Sequence, residues 1–325
     1  MVKGFGALIE EEINSARERM ELGRIDGVDI YETFLRLRSL KVTLEKVGSD
    51  GDQELFRYFP VAAIAALEGH FKAVVATIVN EGSEYTERGI VLAKDKLKSA
   101  ADILPLLHRK AVSIGDLVAY VIPFNSIGSI ENTFTALLNR DFKELVSKAT
   151  NPYDVRNERE NPRLIVHSVK NLWADLSLAF ERRHILAHET ATRFSLSFED
   201  ANAAIDACKL LVESLDAILW ATIWKDTPLT QYEMNCAAWK SRNIARCSLA
   251  TVLWKALNIA KSKGVRAKFC RMHLKWKSFN REWNSWESDF FWMGSIAPML
   301  SAGSQEAAIA SRRDAVQNWI NQMDS

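Results

Sequence analysis

The sequence predicts an all-α protein made of two helical domains. Three observations predict it. Apolar residues recur at three- and four-residue intervals along nearly every long segment, the period of a helix with one buried face. Strand signals are scarce. The 325 residues are too many for one ordinary helical core and suit two domains. Hydrophobic residues make up 48% and charged residues 26%, a globular balance with enough apolar material for a sizeable core.

The elements follow in order. Leu8, Ile9, Ile13 and Ala16 fit a first amphipathic helix, and Phe34, Leu35, Leu37, Leu40 and Leu44 fit a second. Val61 to Val79 is apolar on most sides and predicts a central buried helix, with Pro60 near its first turn. Gly82–Gly128 is broken by turns and by Pro105 and Pro123, and predicts shorter helices. Asn132 to Ala149 reads as helical. Asn151-Pro152 and Asn161-Pro162 bracket a polar linker, Tyr153–Glu160. A long helix is expected from about Arg163 to about His188. Ser197-Phe-Glu-Asp200 has the pattern of a capping box before another, Ala201–Trp224. Asp226-Thr227-Pro228 ends that helix and marks the expected domain boundary. Beyond it come helical stretches near 230–262, 266–291 and 304–322, the last preceded by a loop, Gly294-Ser-Ile-Ala-Pro298.

The opening residues carry no secretory signal, since the apolar run is short and acids follow at once. The longest apolar run, Val61 to Leu67, is far below the roughly 20 residues of a membrane span. Cys208, Cys236, Cys247 and Cys270 show no CxxC or zinc-knuckle spacing and read as reduced and structural. The cytosol is the expected compartment.

A net charge of +1 names no partner, but its distribution does more. Residues 226–325 carry 14 Lys+Arg against 8 Asp+Glu, whereas residues 1–225 carry 28 against 33. From Met234 to Arg281 there are twelve Lys or Arg and no acid, the strongest charge feature of the chain.

The chemistry concentrates in Glu181-Arg-Arg-His-Ile-Leu-Ala-His188. On a helix His184 and His188 share a face, and Arg183 projects beside them. A guanidinium is a fixed bidentate donor for phosphate oxygens. Imidazole gives and takes protons near neutrality. The three together are suited to hold a phosphodiester, deprotonate a ribose 2′-hydroxyl and protonate the leaving oxygen, with no metal required. A His pair at i, i+4 also suits zinc, though no third ligand is evident. Arg-Arg-His near a helix end also complements the helix dipole.

Arg183-His184-Ile185-Leu186-Ala187-His188, late in a long helix, resembles the R-x4–6-H signature of HEPN ribonucleases. The upstream apolar helix with Phe59-Pro60 and the isolated acid Glu68 is similar to that family, as is the following helix opened by Ser197-Phe-Glu-Asp. The resemblance spans about 50–225 within an expected domain 1–225. It implies His188 as general acid/base, Arg183 as phosphate ligand and His184 as an orienting polar group. It implies a homodimer in which two motifs face one cleft, with RNA as substrate and a toxin or anti-phage role. Non-catalytic HEPN domains often lack the Arg or the His, and this sequence keeps both. Glu68 reads either as support for Arg182, Arg183 or a motif histidine, or as a surface or structural position. His70, His108, His167 and His273 are isolated and read as structural.

Residues 226–325 hold a second set of motifs. Thr230-Gln-Tyr-Glu-Met-Asn-Cys-Ala-Ala238, Trp276-Lys-Ser-Phe279-Asn-Arg281 and Gly294-Ser-Ile-Ala-Pro-Met-Leu-Ser-Ala-Gly303 resemble, in order, the LprI-type lysozyme-inhibitor domain. Where that family carries cysteines, Asn284 and Ser304 stand here. The resemblance therefore implies a helical fold reused inside the cell, and lysozyme inhibition is the least favoured function. Trp276, Phe279, Trp283 and Trp286 fall at helical spacing and read as a core stripe more readily than as a base-stacking platform. Lys255, Lys261, Lys263, Arg266, Lys268, Arg271, Lys275 and Lys277 are candidate nucleic-acid ligands. Intramolecular or dimer docking is the alternative for that basic block.

Two functions are thus expected. One is a metal-independent HEPN endoribonuclease with a C-terminal domain that binds RNA or a trigger, with a phage component or an antitoxin as further partners and no membrane. The other is a non-catalytic HEPN dimerisation or binding protein.

Overall fold

The structure is a computed structural model that describes residues 10–11, 13–15, 29–97, 107–108, 112–188, 194–289 and 294–324, with the backbone alone at 29–31, 188, 288–289 and 324. It is 79% helical, and among the described residues there is no strand beyond a single bridge between Thr150 and Leu164. The chain divides into two compact units, Met1–Lys225 and Asp226–Ser325. Of the expected first helix, Leu8, Ile9 and Ala16 lie outside the described residues, as does Pro105. Ile13 is buried against Val112 and Leu117.

In the first unit the helices are α1 (Asp29–Val47), α2 (Gln53–Asn80), α3 (Ser83–Ala93), α4 (Ile114–Val121), α5 (Ile127–Leu138), α6 (Phe142–Ser147), α7 (Pro152–Arg156), α8 (Val169–His188) and α9 (Phe198–Ala221). Helix α2 is the hub, packed against α1, α3, α4, α8 and α9. Its buried residues run from Phe56 to Val79 and come from more than one face, because neighbours surround it. By length and composition α2 could cross a membrane. This differs from the reading of the short Val61–Leu67 run, because Glu68, His70 and Lys72 interrupt the run without ending the helix.

Several boundaries differ from those the sequence predicts. Helix α2 begins at Gln53, where the Asp52 carboxylate accepts the Glu54 N–H at 2.8 Å. Pro60 therefore lies inside the helix rather than at its start, and the Phe56 carbonyl loses its usual donor there. On α1, Leu37, Leu40 and Leu44 are buried, while Leu35 is 55% exposed. The expected helix Asn132–Ala149 is two helices. Asn139 takes a left-handed conformation (φ 53°) that stops α5, and the Asp141 carboxylate caps α6 at the Glu144 N–H, 2.6 Å away. The Tyr153–Glu160 segment contains α7 and is tied down by the buried Asp154, which pairs with Arg159 at 2.9 Å and Arg163 at 2.7 Å. Helix α8 starts at Val169 rather than Arg163, because residues 163–165 bond the backbone of 149–151: Asn151 N–H to Arg163 O is 2.9 Å, and Ile165 N–H to Ala149 O is 3.0 Å.

The capping box before α9 forms. Ser197 Oγ accepts the Asp200 N–H at 3.1 Å and the Asp200 carboxylate accepts the Ser197 N–H at 3.0 Å. An aromatic chain, Phe71–Phe134–Phe142–Trp173, joins α2, α5, α6 and α8, with neighbouring ring centroids 5.1–6.3 Å apart. The Trp173 indole N–H donates to Glu131 at 2.8 Å, so its one polar atom is satisfied.

The second unit contains α10 (Gln231–Ser262), α11 (Arg266–Asp289) and α12 (Ala297–Asp324). Helix α12 starts earlier than expected, with Pro298 in its first turn, where it is tolerated. Helices α10 and α12 run side by side in the same direction, since Ser241 bonds Glu306 and Ala256 packs with Val316 and Ile320. Helix α11 runs back between them in sequence. Its Phe269 stacks on Trp319, and its Glu287 accepts the Ser304 hydroxyl.

This core overturns the tryptophan-stripe expectation. Ala256, Ala260 and Ala302 are fully buried, and Leu249, Val316 and Ile320 nearly so. Small residues allow α10 and α12 to approach closely, and little interior is left for large rings. Phe279, Trp283 and Trp286 are 63%, 48% and 54% exposed. Trp276 alone is partly covered, by His273 stacked at 5.4 Å and Arg312 at 5.8 Å.

Candidate functional site

The site grows from the end of α8. Leu172, Leu176, Ala179 and Phe180 are buried and fix which side of the helix faces the core. Arg183 follows Ala179 and Phe180 at i+4 and i+3, so it leaves on that same side, where the helix nears its end. There Glu68 of α2 stands. Arg183 Nη2 lies 3.4 Å from Glu68 Oε1, and the two side chains keep 27% and 26% of their surface exposed. The distance is that of an ion pair rather than a tight hydrogen bond. The guanidinium is therefore oriented from one side and keeps other donors for a ligand.

Arg182 points elsewhere. Its Nη2 lies 2.5 Å from Asp200 Oδ1 at the start of α9, with 14% of the side chain exposed. Burial would raise the Asp200 pKa, but hydrogen bonds from Ser197 and Arg182 hold it below the ordinary carboxylate value. Arg182 thus joins α8 to the capping box of α9. It does not touch Glu68, and its contact is structural.

His184, one residue on, is exposed. The backbone of His188 ends α8, while its side chain lies outside the described residues. Helical spacing puts it one turn beyond His184. The structure thus brings Arg183 and Glu68 together and places His184 beside them. Among the described residues no group of three or more His, Cys, Asp or Glu is placed to hold a metal.

Of the other histidines, His70 is buried between Phe34 and Phe71, and His108 and His167 are exposed. His273 is held below its ordinary pKa by burial and by the neighbouring Arg312 and Lys277. The cysteines are free. Burial pushes the Cys208 thiol up to about 12, which makes it a core residue. Cys236 and Cys247 are exposed instead, so the structural reading does not extend to them.

In the second unit Lys255, Lys261, Lys263, Arg266, Lys268, Arg271, Lys275 and Lys277 are all exposed. None forms an ion pair with a described residue. Helix α11 opens on Arg266 and Lys268 with no acid in its first turn. That charge opposes the helix dipole, an arrangement that stability alone disfavours.

Two features lay outside the residues singled out from the sequence. A cavity of about 210 Å³ between α6, α7, α9 and the turn after α5 is lined by Leu145, Val155, Ile218 and Trp220, with Arg140, Lys148 and Arg156 among its walls. Its residues are spread over eighty positions of sequence, so only packing assembles it. Asp216 on α9 has its pKa raised to about 6 by burial, with the nearby Glu213 adding to the rise and a hydrogen bond from Trp220 opposing it. Compared with family models, characterised proteins and solved structures, the chain matches none.

Proposed function

We propose that the first unit is a metal-independent endoribonuclease of HEPN type. The observation that carries the reading is the Arg183–Glu68 pair. An arginine at the end of α8, in the same stretch as His184 and His188, is held from behind by an acid of the hub helix. A preoriented guanidinium binds a phosphodiester with less loss of side-chain freedom than a loose one.

In the proposed reaction Arg183 binds the scissile phosphate. His188 takes the proton of the ribose 2′-hydroxyl, and that oxygen attacks phosphorus. The bond from phosphorus to the 5′-oxygen breaks, and the leaving oxygen takes up a proton from the His188 imidazolium. The products are a 2′,3′-cyclic phosphate and a 5′-hydroxyl. His184 orients one of these groups, and a second copy of the chain supplies the facing motif. A toxin or anti-phage role, a cytosolic location and a phage trigger or antitoxin belong to the same proposal.

The test is incubation of total RNA with purified wild type, Arg183→Ala and His188→Ala in the presence of a chelator. Wild type alone is expected to cleave and to leave cyclic-phosphate ends. Equal inertness of all three, with and without phage extract, would sink the ribonuclease reading and leave the non-catalytic one, in which Arg183–Glu68 is a structural ion pair.

A further inference from the structure

We infer that the exposed face of α11 binds single-stranded polynucleotide, with bases stacked on Phe279, Trp283 and Trp286 and phosphates on Lys268 and Lys275. At about 100° per residue, Lys268, Met272, Lys275, Phe279, Trp283 and Trp286 fall on one strip of the helix. All six are exposed. The strip is about 27 Å long by the helical rise, enough for several nucleotides.

The rings already form a ladder. Phe279 and Trp283 stack with centroids 6.2 Å apart and planes 28° apart, and Trp283 and Trp286 follow at 5.1 Å and 47°. Leaving three large rings in water forgoes the burial that would stabilise the unit. The narrow interior takes one ring of α11, Phe269, and leaves these three outside.

Charge selects the occupant. Twelve cations and no acid lie between Met234 and Arg281, and α11 opens on two cations against its own dipole. A polyanion relieves both. The acid on this face is Glu282, whose Oε1 accepts the Ser278 hydroxyl at 3.2 Å. A second copy packed face to face would set cation against cation. A helix lying on a membrane keeps its cations at the flanks of a continuous apolar face. Here Lys268 and Lys275 sit on the centre line of the strip itself, and the three rings follow them. Phosphate contacts at one end and ring contacts at the other suit a single strand, whose bases are free to stack.

This inference shares its ligand class with the ribonuclease proposal but uses another unit and no catalytic residue. The probe is an unstructured polyuridine oligomer, titrated with the full chain in a His188→Ala background and read by fluorescence anisotropy. Trp283→Ala and Trp286→Ala are each expected to weaken binding about fivefold or more, with Trp283→Phe keeping most of it. Lys268→Glu together with Lys275→Glu is expected to flatten the salt dependence. Oligothymidine is expected to bind comparably, since neither contact reads the 2′-hydroxyl. Ring variants that bind like the parent, duplex RNA bound more tightly than either single strand, or capture by anionic vesicles with no oligomer binding each overturns the inference. Oligomer binding together with a wild-type chain that never cleaves RNA leaves this inference standing and removes the ribonuclease reading. Cleavage indifferent to the rings does the reverse.

Discussion

Arg183 of α8 and Glu68 of α2 face each other at 3.4 Å, while Arg182, its neighbour in sequence, turns to Asp200 of α9 at 2.5 Å. Two adjacent arginines therefore do different work. Their variants should separate function from stability. The Arg183–Glu68 pair is about a quarter exposed, and such a pair contributes at most about 1 kcal/mol. Glu68→Gln should leave the urea midpoint nearly unmoved but lower RNA cleavage by about ten- to hundredfold through a misplaced guanidinium. Arg182→Ala removes a more buried contact to a capping residue and should cost about 1–2 kcal/mol. A Glu68→Gln chain that cleaves RNA as wild type does would remove Glu68 from the proposed site.

Asp154 ties the α7 segment by accepting the Arg163 side chain and backbone N–H and pairing with Arg159. The hydrogen bond from Arg163 leads in holding its carboxyl below the ordinary value, with Arg159 adding to it. A depressed carboxylate contributes stability that is complete above its unfolded pKa and is lost as pH falls through the folded one. Asp154→Asn should melt earlier than wild type at neutral pH, and the gap should narrow in acid. Melting curves followed by circular dichroism across the acid range check this. A constant gap would mean that the carboxylate charge contributes nothing.

Asp216 has the opposite sign. Its pKa is raised to about 6 by burial, so its favourable contribution is complete below the unfolded value and is lost as pH rises through about 6. Asp216→Asn keeps an acceptor for the Trp220 indole and carries no charge. It should stabilise the first unit at neutral pH by about 1–3 kcal/mol and leave stability unchanged at low pH. Denaturant titrations at the two pH values decide it. Equal stability of the two proteins at neutral pH would place the carboxylate in water.

Gly115 lies where α4 crosses α2. A Cβ built there would come 2.2 Å from the Ala76 carbonyl oxygen and 2.7 Å from Asn80 Nδ2, and the Gly115 N–H donates to Asn80 Oδ1 at 3.1 Å. Backbone cannot give way as a side chain end can. Gly115→Ala should therefore cost about 1–3 kcal/mol, read as a lower urea midpoint at unchanged slope. Gly69→Ala, with open space at its Cβ, is the control on the same hub helix and should not destabilise.

Period and capping chemistry made much of this protein readable. The Ser197-Phe-Glu-Asp200 box needs only local bonds, so four residues sufficed to place the start of α9 within three positions. The apolar stretch from Val61 to Val79 marked α2 as the central helix, because it is apolar on most sides. Where the reading failed, the deciding forces were not local. The backbone pairing of 163–165 with 149–151 delays α8, and no pattern inside 163–168 encodes it. Phe279, Trp283 and Trp286 carry the same spacing whether they face a core or water. Ala256, Ala260 and Ala302 decide it, because their small side chains let α10 and α12 close on each other. Sequence by itself determined the helical class and the placing of Arg183, His184 and His188 at one helix end, because propensity and the 3.6-residue period act within a segment. Only the tertiary structure decided that Glu68 meets Arg183 rather than Arg182, and that the α11 rings stay outside, because packing chooses among faces that are equivalent in sequence.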